Sequence, residues 1–125
     1  VSNKLVALAI AIGQREGFGI EGDIPTRLNN PGDLLYARQV NAAPHAVTGL
    51  DGKVRVYASF KTLADGWAAL YAQIRLDAGR GKTLAEFIDK YAPGSDGNDP
   101  ASYLAFVMRQ ISCQNASAKL AELIA

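Results

Sequence analysis

A glutamate closes an apolar helix in the run Gln14-Arg15-Glu16-Gly17-Phe18-Gly19. The C-terminal end of a helix carries partial negative charge, so a carboxylate is disfavoured there unless another requirement keeps it. The same field holds a proton on the carboxyl and raises its pKa, which suits a group acting as an acid near neutral pH. By composition alone most glutamates are solvated, and Arg15 or Lys4 would partner such a residue; the helix-end context shifts the balance toward chemistry. A second carboxylate is not marked out. Glu21, Asp23 and Asp33 all fall on the following loop, at no diagnostic spacing.

The remaining reactive residue types exclude more than they offer. His45 is the sole histidine and sits beside Pro44 in a predicted loop, which removes serine–histidine and cysteine–histidine catalysis unless His45 is itself the base. One histidine and one cysteine far apart make a poor metal site, and no metal or cofactor is expected. Gly79-Arg80-Gly81-Lys82-Thr83 has the end of a phosphate-binding loop, but Leu76 stands where its first glycine belongs and a helix precedes it. Asp96-Gly97-Asn98-Asp99 begins like a calcium loop, yet Pro100 and Val107 occupy positions that need oxygen ligands. Asn115-Ala116-Ser117 matches a glycosylation acceptor, a tripeptide frequent by chance. Cys113 allows no internal disulfide and reads as a small hydrophobe. Trp67 and Tyr71, four apart, read as core. Tyr91, Asn98 and Tyr103 bracket a loop, and are either walls of a cleft or the packing that holds the loop down.

The elements that must position Glu16 follow from pattern. Ser2 or Asn3 caps a first helix with Leu5, Leu8, Ala9 and Ile12 on one face and small residues opposite, and Gly17 closes it. Its apolar or small surface nearly all round predicts a central core helix. Residues 20–31 read as a long loop, rich in glycine, proline and asparagine. Leu34-Leu35-Tyr36 is a short turn or strand. Segments 46–50 and 53–57 flank Asp51-Gly52 and predict a small β-hairpin, which must lean on the helices or on a third strand. Thr62-Leu63-Ala64-Asp65 opens a helix with Leu63, Trp67, Leu70, Tyr71 and Ile74 inward, stopped by Gly79 and Gly81. Thr83-Leu84-Ala85-Glu86 is a fuller capping box for a short helix bearing Phe87, Ile88 and Tyr91. After a loop at 94–98, Asp99-Pro100 caps a helix carrying Tyr103, Leu104, Phe106, Val107 and Ile111, and Ser117 is expected to cap a last helix to Ile124.

Bulk properties set the class. With 125 residues, 49% hydrophobic and 20% charged, the chain predicts one domain over 1–125, α+β and predominantly α. A net charge of +1 gives no polyanion signal, so no nucleic-acid partner is expected. The apolar run Leu5 to Ile12 is too short to span a bilayer and lacks a basic leader, so no membrane insertion is expected, and the chain is read as a monomer.

Taken in order, four stretches carry a resemblance. They are Arg15-Glu16-Gly17-Phe18; Ile24-Pro25-Thr26-Arg27-Leu28-Asn29-Asn30-Pro31-Gly32-Asp33-Leu34; Tyr57-Ala58-Ser59-Phe60 leading into a helix with Gly66 and Ala69-Leu70; and Tyr91-Ala92-Pro93 with Asp96, Asn98, Asp99, Pro100 and Tyr103. Together, from Leu5 to about Ile111, they resemble a bacterial or phage member of the lysozyme-like superfamily. The resemblance implies a lysozyme-like helical domain with a small β-lobe, working outside the cytoplasm in the periplasm, at the cell surface or on a virion. It implies Glu16 as the acid that cleaves the glycan strand of peptidoglycan, and a cleft lined by Asn29, Asn30, Ser59, Phe60, Tyr91, Asn98 and Tyr103.

Glycoside cleavage needs a proton donor and a means to stabilise the positive sugar. Phe18, Phe60 or Tyr36 would keep Glu16 protonated. Asp33 and Asp23 are the candidates for a second carboxylate. With none marked out, the reading favours a lytic transglycosylase, in which one glutamate acts as acid and then base while the substrate closes an anhydro sugar, over a hydrolytic lysozyme. Two departures stand out: Asp33 occupies a place where the family pattern implies asparagine, and the glycine-leucine-methionine-glutamine signature is missing, which points to a divergent branch. The alternatives are a non-catalytic glycan-binding or virion structural module on the same fold, and an unrelated helical interaction domain.

Overall fold

The computed structural model describes residues 1–92 and 98–125. Its element order is α1 (Asn3–Glu16), α2 (Ile24–Arg27), β1 (Ala42–Thr48), β2 (Val54–Phe60), α3 (Leu63–Gly79), α4 (Leu84–Tyr91), α5 (Pro100–Gln110) and α6 (Leu120–Leu123). The protein is α+β and mostly helical, with one two-stranded antiparallel sheet.

The helix ends form where local chemistry provides for them. Ser2 accepts from the Leu5 amide at 3.0 Å and opens α1. Gly17, at φ 93°, closes it with its amide on the last-turn carbonyls, so the helix stops with Glu16 at its rim. Thr83 and Glu86 make both bonds of a capping box at α4, and Asp99 accepts from the Ser102 amide ahead of Pro100 at α5. At α3 Thr62 accepts from the Asp65 amide, but its hydroxyl donates to the Asp65 carboxylate, a side-chain variant of the box.

Leu5, Leu8, Ala9 and Ile12 of α1, Leu70 and Ile74 of α3, Leu84, Phe87 and Ile88 of α4, Tyr103 and Val107 of α5 and Leu120 of α6 form the main core. Helix α1 packs on α3 and α5 at its centre. A smaller cluster of Leu34, Ala58 and Phe60 sits under the hairpin. Leu34–Tyr36 flanks β2 on the side opposite β1, through Tyr36 N–H to Val56 O at 2.8 Å and Ala58 N–H to Leu34 O at 3.0 Å. The hairpin therefore leans on both a third extended segment and α3.

Several expectations are corrected. The 20–31 loop contains the single-turn helix α2, because Pro25 sits in the first turn, where its missing N–H costs nothing. The strands are longer than predicted, and the turn is the loop 49–53, in which the Asp51 carboxylate accepts from the Lys53 amide. Ser117 caps nothing: Thr83 and Lys119 form a bridge that keeps the chain extended, and α6 starts after Lys119. Leu63 is 40% exposed rather than inward, and Ile10 leaves one side of α1 open to solvent. The predicted loop at Gly94, Ser95, Asp96 and Gly97, with Pro93, lies outside the described residues.

Candidate active site

Glu16 opens onto a cleft of about 750 Å³ between the helices and the hairpin. One wall comes from Asp33 through Ala37 and from Leu50, Asp51, Arg55 and Tyr57 of the hairpin; the other comes from Gln73, Asp77, Lys90, Tyr91 and Asn98. Asp33 reaches Glu16 because the loop before it is clamped. Asn30 is fully buried: its Nδ2 donates to the carbonyls of Leu34 and Ala58, both at 2.9 Å, and its Oδ1 accepts from the Leu34 amide at 2.9 Å. Tyr91 adds a hydroxyl bond to the Gly32 carbonyl. A Cβ at Gly32 would meet that hydroxyl at 2.7 Å and Leu70 at 2.8 Å, so any side chain there would have to displace Tyr91 or Leu70.

Burial is the largest influence on Glu16 and pushes its pKa up to about 7. Tyr103 pulls the other way by hydrogen bonding, while the Asp33 carboxyl, within hydrogen-bonding reach, pushes up through both charge and contact. Burial also raises Asp33 to about 6, with Glu16 as a stabilising hydrogen-bond partner and the Asp23 charge opposing ionisation. Asp33 Oδ1 and the Tyr103 hydroxyl are buried and find no hydrogen bond of good geometry among the described residues. Burial beside these carboxyls pushes the Tyr91 and Tyr103 hydroxyls well up, so both stay protonated. Arg15 makes no ion pair with Glu16, though its charge still favours the ionised form: its guanidinium lies 5.6 Å from the Tyr103 ring centroid and donates to Ser102 Oγ at 3.1 Å.

The predicted site residues divide. Glu16, Asp33, Tyr91 and Asn98 line the cleft, as does Tyr36. Tyr103 is buried in the core beside Glu16, without lining the cleft. Asn29, Asn30, Ser59 and Phe60 are not brought to it. The Asn29 amide donates to the Phe60 carbonyl at 3.2 Å, Asn30 is spent on backbone, Ser59 lies further along β2 than Tyr57, and Phe60 fills the small core cluster. Asp23 is exposed near Gly17 and acts on Asp33 only through its charge. Phe18 packs edge-on against Trp67, 5.5 Å between centroids, so neither Phe18 nor Phe60 forms the expected apolar wall beside Glu16.

No family model, curated protein or solved structure matches this chain.

Sequence reasoning missed Tyr57, Arg55, Gln73, Asp77 and Lys90. Only the alternation that puts Arg55 and Tyr57 on the outer face of β2 could have flagged any of them. Asp77 is 1% exposed, and burial alone would raise it; bonds from Lys90 at 2.7 Å and Gln73 at 2.9 Å outweigh that and hold it below the usual carboxylate range. Among the described residues no group of three or more histidine, cysteine, aspartate and glutamate side chains could hold a metal ion. No helix there is long and apolar enough to cross a membrane. A second groove, of about 370 Å³ between Lys4, Leu8, Ile111, Cys113 and Leu123, shares no residue with the cleft.

Proposed function

We propose that this chain cleaves the glycan strand of peptidoglycan between N-acetylmuramic acid and N-acetylglucosamine, as a lytic transglycosylase acting through Glu16 outside the cytoplasm. The observation that carries the reading is a carboxyl with a pKa of about 7 on the wall of a cleft of about 750 Å³. At neutral pH a large fraction of Glu16 holds a proton to give, which a solvated glutamate would not. Glu16 donates that proton to the glycosidic oxygen as its bond to the anomeric carbon breaks, and the departing sugar leaves as an alcohol. The Glu16 carboxylate then takes the proton of a hydroxyl on the remaining sugar as that oxygen closes on the anomeric carbon. An anhydro ring results, and Glu16 is returned protonated.

The state of the other carboxylates favours one residue serving both steps. Asp33 lies within hydrogen-bonding reach of Glu16, closer than the roughly 5–9.5 Å that separates two carboxyls flanking a glycosidic bond. Asp51 is held below the ordinary range, chiefly by its bond from Arg55, and Asp77 is paired with Lys90. Carboxylates so engaged are weak bases.

Replacing Glu16→Gln removes the proton and keeps the shape, so clearing of purified peptidoglycan should fall at least about a hundredfold. Undiminished clearing would take Glu16 out of the mechanism. Mass spectrometry of the wild-type digest should show anhydro ends. Reducing ends would mean that water is the acceptor, and glycan binding without either product would point to the non-catalytic module.

A further inference from the structure

Among the described residues the buried Oδ1 of Asp33 has no donor, and a buried acceptor left unmet costs free energy. Among the described residues the Glu16 carboxyl is a polar group within its reach. Two ionised carboxylates there would repel, and neither could donate. One proton on Glu16 turns the repulsion into a hydrogen bond and meets the orphaned oxygen. We propose that Asp33 is the positioning residue of Glu16: the two half-buried carboxyls share a single proton, which Asp33 holds on Glu16 until the glycosidic oxygen takes it. This rests on reading Glu16 as the general acid.

The surroundings act on that pair too, the Tyr103 hydroxyl favouring ionised Glu16 by hydrogen bonding. From α1, Arg15 is committed to Ser102 and the Tyr103 ring; from α5, the Tyr103 hydroxyl faces Glu16; from α4, the Tyr91 hydroxyl donates to the Gly32 carbonyl; on the loop, Asp23 adds negative charge toward Asp33. Among the described residues neither carboxyl is in an ion pair, and the Arg15 charge, the smallest of the influences on Glu16, is the cation that opposes the proton. The backbone adds a second argument. Asp33 sits at φ 51°, a left-handed conformation that asparagine adopts as readily as aspartate. Loop geometry alone therefore does not call for an acid at this position.

The test reads the carboxyls directly. In the wild-type protein, carbon-13 NMR of Glu16 Cδ and Asp33 Cγ should show each carbon responding to two coupled titration steps. In Asp33→Asn, which the left-handed backbone accepts, Glu16 should titrate in one step lowered by about one pH unit, the scale of a lost like-charge neighbour. The basic limb of the cleavage rate should move down with it. Independent single steps in the wild type, or a Glu16 titration unmoved by Asp33→Asn, would overturn the proposal. So would loss of cleavage at every pH with that titration unmoved, because Asp33 would then be a reacting group. If instead no glycan is cleaved by any form while the titrations couple as stated, the glycosidase reading fails and the shared proton stands.

Discussion

At the scale of single residues, the property that suits Glu16 to acid catalysis also makes it a liability to the fold. Its pKa rises from 4.5 to about 7 on folding, so between those values the folded chain keeps a proton that the unfolded chain has released. Stability contributed by such a group is complete below the unfolded value and is lost as pH rises through the folded one. Asp33, raised to about 6, acts in the same direction. Glutamine at position 16 never ionises, so Glu16→Gln should match the wild type near pH 4 and exceed it at pH 8. One pH unit corresponds to about 1.4 kcal/mol, and discounting for the partial exposure of Glu16 leaves a gain of about 1–3 kcal/mol. Urea unfolding at the two pH values checks this, and parallel stabilities from pH 4 to 8 would show that Glu16 is not desolvated. The expected variant is more stable and inactive, the trade-off of a site that holds an unfavourable group for chemistry.

At the scale of elements, the loop that presents Asp33 is held by a close approach of α3. A Cβ on Gly66 would lie 1.9 Å from the Asn29 carbonyl oxygen and 2.9 Å from Pro31 Cδ. The first of these is backbone, so the helix or the loop must shift as a whole. Gly66→Ala should therefore destabilise by about 3 kcal/mol, although alanine is the better helix former. A change within about 0.5 kcal/mol, measured by urea unfolding, would mean that the two elements are not in contact there. This contact also marks what the sequence could and could not say. Ser2, Thr83-Glu86, Asp99-Pro100 and Gly17 announce helix ends because a cap bonds within three or four residues, and Glu16 stood out through the same local rule. The clamping role of Asn30 did not, because it is completed by Ala58, 28 residues away. For the same reason an asparagine-rich loop looked like a sugar contact when two of its amides are spent on backbone. Lys90, Gln73 and Asp77 read as ordinary helix positions until two helices are set side by side. Asp33 was visible only as one candidate second carboxylate among several and as a departure from a pattern, since no local rule connects a loop acid with a helix end 17 positions earlier.

At the scale of the whole molecule, the cleft separates two packing centres of unequal size. The main core joins all the helices except α2, whereas the hairpin rests on Leu34, Ala58 and Phe60, with Tyr36, Ala42, Ala69 and Tyr91 at its edge. A hairpin of this kind is marginal without such support. Phe60 is 4% exposed and is the largest buried side chain of the smaller cluster. Truncation of a buried phenylalanine costs about 3–5 kcal/mol, and here most of that should fall on the hairpin rather than on the helices. Amide hydrogen exchange in Phe60→Ala should consequently speed up at least about a hundredfold across 42–60, since about 1.4 kcal/mol is a factor of ten. The amides of Leu8, Ile12 and Ile74 should change far less. Uniform acceleration along the chain would show instead that hairpin and helices open together. The distinction bears on function, because Leu50, Arg55 and Tyr57 form one wall of the cleft while Glu16 belongs to the helical core. A hairpin that opens alone would loosen the grip on a glycan strand and, by freeing the Ala58 carbonyl from Asn30, the loop that brings Asp33 to Glu16, while Glu16 itself stays on the helical core.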